Sequence, residues 1–121
     1  MARVSLRLGF SDERALGPGK IRLLELIAET GSISAAGRAM KMSYRRAWVL
    51  VDELNRMFRE PLVDARPGGA NGGGTSLTEA GTDVVRRYRA IESNVATNSS
   101  AHIAALEKMI AGTKRKPRSG T

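Results

Sequence analysis

The sequence predicts a mainly α-helical domain carrying one small β-hairpin. Apolar residues recur at steps of three and four along most of the chain, while alternation at a period of two is confined to short stretches. Five of the seven positions Gly68–Gly74 are glycine, and strand-like segments flank them. With 121 residues the chain can bury one modest core. Its 41% hydrophobic content suffices for folding, but only 4% is aromatic, so Leu, Ile, Val, Met and Ala must fill that core.

Residues 3–10, RVSLRLGF, alternate, with Val4, Leu6, Leu8 and Phe10 on one face and Arg3, Ser5, Arg7 and Gly9 on the other. That pattern predicts a half-buried strand, and SDERALGPG a turn leading out of it. A first helix is predicted over 20–29, with Ile21, Leu24, Ile27 and Ala28 at helical spacing and Gly31 as its stop. Ser32 or Ser34 can cap a short second helix running to about Met40. After a tight turn, Ser43 caps a third helix over roughly 44–58. Its apolar stripe is predicted as Ala47, Trp48, Val51, Leu54 and Phe58, which places the sole tryptophan in the core, with base or sugar contact as the alternative. Pro61 ends that stretch. LVDAR (62–66) and TSLT (75–78) read as the two strands of the hairpin. Thr78 caps a fourth helix with Glu79 in its first turn, where a carboxylate suits the helix dipole. Its stripe is Val84, Tyr88, Ile91 and Val95; TNSS (97–100) is a candidate break, after which Ile103, Leu106 and Ile110 resume the pattern.

A helix pair with a short turn, followed by a hairpin and a long helix, is the winged helix-turn-helix arrangement. Residues 1–77 form the predicted DNA-binding unit, 78–111 a dimerisation helix, and 112–121 a disordered basic tail. The net charge is +8, and the tail's Lys114, Arg115, Lys116 and Arg118 supply half of it, so the body is basic in its own right. A basic small domain suggests a polyanionic partner, nucleic acid before a membrane surface.

Other classes fall away. No cysteine is present, which excludes a disulfide scaffold or thiolate metal site, and the single His102 argues against a histidine-based one. No apolar run approaches the roughly 20 residues of a membrane span, and no signal peptide is visible, so a cytoplasmic location is expected. The glycine loop lacks the Gly-Lys-Ser/Thr ending of a nucleotide-binding loop and lies between two strands. Neither enzymatic activity, cofactor nor metal is expected.

The stretch GSISAAGRAMKMSYRRAWVLVDELNRMF, followed by LVDARPGGANGGGTSLTEAG, resembles the N-terminal DNA-binding domain of the ModE family of molybdate-responsive regulators. The shared features are the GSIS helix start, the Ser-Tyr-basic-x-Ala-Trp opening of the third helix, its Glu-Leu-Asn run, and the glycine-rich wing leading into LT and Gly. The resemblance covers about residues 4–95. It extends more distantly to LysR-type DNA-binding domains through the small-residue second helix and LTEAG. It implies a bacterial DNA-binding regulator. The chain ends about where the family's molybdate-binding module would begin, so molybdate binding is not expected. Family wing tips often carry a lysine, where this chain has Ala70 and Asn71.

In a helix-turn-helix the first residues of the second helix face base edges in the major groove. Arg45 and Arg46 are therefore candidate base readers, since arginine bonds bidentately to guanine; standing about 100° apart, they cannot point the same way. Ser43 can cap its helix or reach a phosphate, and Tyr44 can do so with its hydroxyl. Ser32 and Ser34 can cap the second helix or hold a phosphate at its N-terminus, and Arg38 and Lys41 supply phosphate attraction. At the wing, Arg66, Asn71 and Thr75 complete the expected contacts with double-stranded DNA. Val84, Tyr88, Ile91 and Val95 are the expected homodimer interface. A winged-helix module that binds a protein or RNA through its basic face is the alternative function.

Overall fold

The computed structural model describes residues 2–65 and 74–111. Two short antiparallel pairs flank the first three helices. β1 (Leu8–Gly9) pairs with β2 (Ala15–Leu16), and β3 (Val63–Ala65) pairs with β4 (Thr75–Leu77) in the register Val63 to Leu77 and Ala65 to Thr75. The helices are α1 (Pro18–Thr30), α2 (Ile33–Ala39), α3 (Tyr44–Met57), α4 (Glu79–Asn98) and α5 (Ser100–Met109). The architecture is a winged helix-turn-helix continued by a long helix.

Local chemistry sets most boundaries. Pro18 opens α1, where its missing N–H removes a donor that would have no helical partner. Gly31 closes α1 at φ 70° and donates its N–H to Ile27 O at 2.8 Å. Ser32 and Ser43 accept from the Ala35 and Arg46 amides, each at 3.0 Å, and so start α2 and α3. Thr78 accepts from Gly81 N at 3.0 Å and starts α4.

One core unites these elements. Ile21, Leu23, Leu24 and Ile27 of α1 meet Ala36 of α2, Ala47 and Leu54 of α3, Leu62 before β3 and Tyr88 of α4, all at most 1% exposed. Tyr88 also donates its hydroxyl to Leu6 O at 2.7 Å, pinning the N-terminal segment onto α4. Gly81 is obligatory at the start of α4, because a Cβ there would run into the Leu62 carbonyl.

Several expectations need correction. The strand predicted over 3–10 is regular only at Leu8–Gly9; Val4, Leu6 and Leu8 are half-buried as the alternation requires, but Phe10, placed on the same face, is 58% exposed. The lead-in to α1 contains β2, which the sequence reading missed because its two residues carry no period. Ala28 is exposed, and Leu23 and Leu26 are buried in its place. Trp48 is 39% exposed and lies outside the core. The stripe of α3 runs Ala47, Leu50, Val51 and Leu54, and Trp48 sits about 100° around the helix from Ala47. Tyr88, expected at a dimer interface, is spent inside its own chain, and Val84 packs against the same core. The predicted contact residues Arg66 and Asn71, and the basic tail, lie outside the described residues.

α4 is bound to α1 by a bidentate ion pair. Arg89 places Nε 3.0 Å from Glu25 Oε2 and Nη2 2.9 Å from Glu25 Oε1, while its Nη1 reaches Glu92 at 2.8 Å. The hydrogen-bonded Arg89 guanidinium holds the Glu25 carboxyl below the usual glutamate range, against the opposing effect of burial. A depressed folded-state pKa contributes stability above the unfolded value, about 4.3, and that stability is lost as pH falls through the folded value. Glu25→Gln is expected to lose about 1 kcal/mol at pH 7 and to converge on the wild type at an acid pH below the folded value. Urea unfolding at the two pH values tests this; a difference that persists undiminished in acid would show that the charge is not its source.

Candidate nucleic-acid interface

α2 and α3 form the helix-turn-helix, and their close crossing depends on small side chains. A Cβ on Gly37 would lie 2.9 Å from Ala47 Cβ, so the helices meet where one partner has no side chain and the other only a methyl. The turn is Met40, Lys41 and Met42. Met42 N donates to Gly37 O at 3.0 Å, and Lys41 adopts φ 60°, the left-handed region. Ser43 then caps α3, leaving its first turn free of acidic residues and facing outward.

The buried stripe of α3 fixes what the other faces carry. Arg45, Val49, Asp52 and Arg56 lie opposite Ala47, Leu50 and Leu54, and all four are exposed. Arg45 is therefore the basic residue at the centre of the outward face near its start. Arg46 stands on one flank, at a shallow groove shared with Arg7, Lys20 and Leu50. Farther along, Asp52 is paired with Arg56 at 3.1 Å. The opposite flank carries Tyr44 and Trp48, 61% and 39% exposed, edge to face with ring centroids 6.1 Å apart.

The remaining predicted residues divide. Ser32 is the cap of α2, while Ser34 accepts from Arg38 Nη1 at 3.0 Å, so Arg38 lies along the exposed side of α2. Lys41 is exposed in the turn. Thr75 opens β4 and donates its amide to Gly31 O at 3.2 Å, which ties the wing to the end of α1.

Asn55 is a positioning residue that the sequence reading missed. Its Oδ1 accepts from Leu62 N at 2.8 Å and Val63 N at 3.0 Å, and its Nδ2 donates to Val63 O at 3.2 Å. One carboxamide thus couples α3 to the first strand of the wing. The available signal was a polar residue on a flank of the stripe within the Glu-Leu-Asn run; its partners, seven and eight residues away, could not be read from helical spacing.

A helix-turn-helix held by its wing, with a cationic start to the second helix, defines a domain of the winged helix-turn-helix class. The chain belongs to the bacterial regulatory helix-turn-helix proteins of the lysR family, whose pattern matches residues 19–82. It is 44% identical over 92 residues to the molybdenum transport protein ModE of Azotobacter vinelandii, covering 76% of this chain and 33% of that protein. It is 46% identical over 81 residues to the molybdenum-pterin-binding protein MopB of Rhodobacter capsulatus, covering 67% and 30%. With the DNA-binding transcriptional dual regulator ModE of Escherichia coli K12 the identity is 34% over 87 residues, covering 72% and 33%. The chain spans about a third of the length of these relatives. No described helix is long and apolar enough to cross a membrane.

Asn55→Ala leaves the Leu62 and Val63 amides without their acceptor beside a fully buried side chain. The expected loss is about 2 kcal/mol, read as a lower urea midpoint at unchanged m-value. A loss under a few tenths would mean that water replaces the carboxamide and that the wing does not depend on it.

Proposed function

We propose that this chain is a sequence-specific transcription regulator of ModE/LysR-like type that reads double-stranded DNA as a homodimer. The observation that carries the reading is the position of Arg45: in the first turn of a capped second helix, opposite the buried stripe, with no acidic residue in that turn. A guanidinium there can reach the O6 and N7 of guanine in the major groove. Arg38 with Ser34, Lys41 and Arg46 border that position and act on phosphates, which fix register without carrying sequence information. The proposed ligand is DNA, because the family match falls on the helix-turn-helix segment.

Dimerisation is assigned to the far half of α4 together with α5. Ile91 and Val95 are exposed, as are Leu106, Met109 and Ile110, whereas Val84 and Tyr88 are engaged in the chain's own core. Each large apolar side chain gains about 1.5–3 kcal/mol when fully buried, and two-fold pairing lets two such domains read two half-sites.

Two measurements test these assignments. A duplex obtained by selection from a random library is titrated beside its scrambled counterpart. Arg45→Ala is expected to lose about 1–3 kcal/mol on the selected duplex and much less on the scrambled one; equal losses would reduce Arg45 to a phosphate contact. In sedimentation velocity at micromolar concentration, the wild type is expected to be a dimer and the Ile91→Asp, Val95→Asp double variant a monomer. A monomeric wild type would remove the basis for paired half-sites.

A further inference from the structure

Resting on the DNA-binding reading above, we infer that α3 also reads thymine, through an apolar ridge made by Tyr44, Trp48 and Val49 that receives the C5-methyl groups in the major groove. Three apolar side chains stand within the first six residues of this helix, and they are 61%, 39% and 41% exposed. Single exposed apolar residues need no explanation, whereas a contiguous group does. Tyr44 and Trp48 are one turn apart with their rings edge to face, and Trp48 and Val49 follow Arg45 by three and four residues, so the apolar side chains flank that arginine on both sides.

The surroundings select the partner. Arg45 lines one shallow depression with Tyr44 and Trp48, Arg46 follows it on the other flank of the helix, and the first turn holds no acid. Asp52, the next acidic residue along the helix, is neutralised by Arg56. An apolar ridge beside a basic, acid-free helix start suits a polyanion that displays small apolar groups between its charges. Duplex DNA does so in the major groove, where thymine's methyl is the apolar feature of the base-pair code. Arg45 and the ridge then divide the work: the guanidinium selects guanine by hydrogen bonds, and the adjoining carbon surface selects thymine by contact. Trp48 stays outside the core because its place on the helix flank leads to this surface.

The test uses the selected duplex and a copy in which deoxyuridine replaces thymidine, which removes the methyls and keeps every hydrogen-bonding group. Wild-type affinity is expected to fall about fourfold for each methyl buried against the ridge. Trp48→Ala and Val49→Ala are each expected to lower affinity for the thymidine duplex and to narrow the gap between the two duplexes. Because Trp48 is the only tryptophan, acrylamide quenching of its fluorescence should drop when the wild type is saturated with the duplex. Equal wild-type binding to both duplexes overturns the inference while sequence-selective binding stands. So does a gap unchanged in both variants, which would assign the effect to DNA shape, and so does a Trp48 left fully accessible to quencher. If no duplex is selected over random DNA, the DNA-binding reading itself fails.

Discussion

Leu62 is where the working parts of the fold are fixed to one another. Its amide donates to Asn55 of α3, and its carbonyl accepts from Thr78 N at the head of α4. Its side chain is closed to solvent, and the same carbonyl occupies the space that a Cβ on Gly81 would need. Thr78 adds a second tie by donating its hydroxyl to Pro61 O at 2.7 Å. Recognition helix, wing and C-terminal helix therefore share one anchor of backbone groups, and backbone hydrogen bonds inside a packed region are costly to leave unmade. A shift of α3 relative to the wing would have to break the Asn55 carboxamide contacts and disturb the α4 cap beside them. That rigidity holds the exposed start of α3 at a fixed angle to the long helix.

The distribution of charge follows the same division. On the α1–α4 side, acids and bases are matched: Glu25 with Arg89 and Arg22, Glu92 with Arg89, Asp83 with Arg86 and Arg87. Toward α3, Lys20 pairs with Glu53 and Asp52 with Arg56, both beyond the first turn of the helix. Internal pairing consumes the acidic residues nearest the core and leaves the turn and the start of α3 electropositive. Surface pairs contribute little to stability singly, so the consequence of this pattern lies in where the field points. The basic residues Lys41, Arg45 and Arg46 gather at the start of α3, whereas the ion-paired Asp52, Glu53 and Arg56 lie farther along it.

Much of this was legible in the sequence wherever the controlling interaction is local. Ser32, Ser43 and Thr78 announce helix starts because each cap bonds an amide three residues ahead, and Gly31 announces a stop because only glycine takes a left-handed φ without strain. The interruption after Asn98 likewise falls at Ser99, inside TNSS. What was not legible depends on partners distant in the chain. Tyr88 is apolar at helical spacing, which fits a dimer face as well as a core; Leu6, 82 residues away, decides for the core. Trp48 differs from Leu50 by two positions, and either completes a plausible stripe until α2 and the wing show which flank is covered. At the site itself, the cationic start of α3 was visible from spacing, whereas the role of Asn55 and the exposure of the aromatic pair required the tertiary structure.

Lys41 shows how the turn and the binding face constrain one another. The chain must reverse between α2 and α3 within three residues, because Gly37 and Ala47 hold the helices in contact. A residue at φ 60° accomplishes that reversal. Glycine takes such a conformation freely, whereas a residue with a Cβ is strained by about 1–2 kcal/mol. The strained position is exposed and borders the cationic start of α3, so lysine there adds charge to that end of the helix pair. A glycine would relax the backbone and remove that charge. The pattern is that of a local conformational cost retained beside the proposed binding surface, offset by the packing of α2 and α3 on either side.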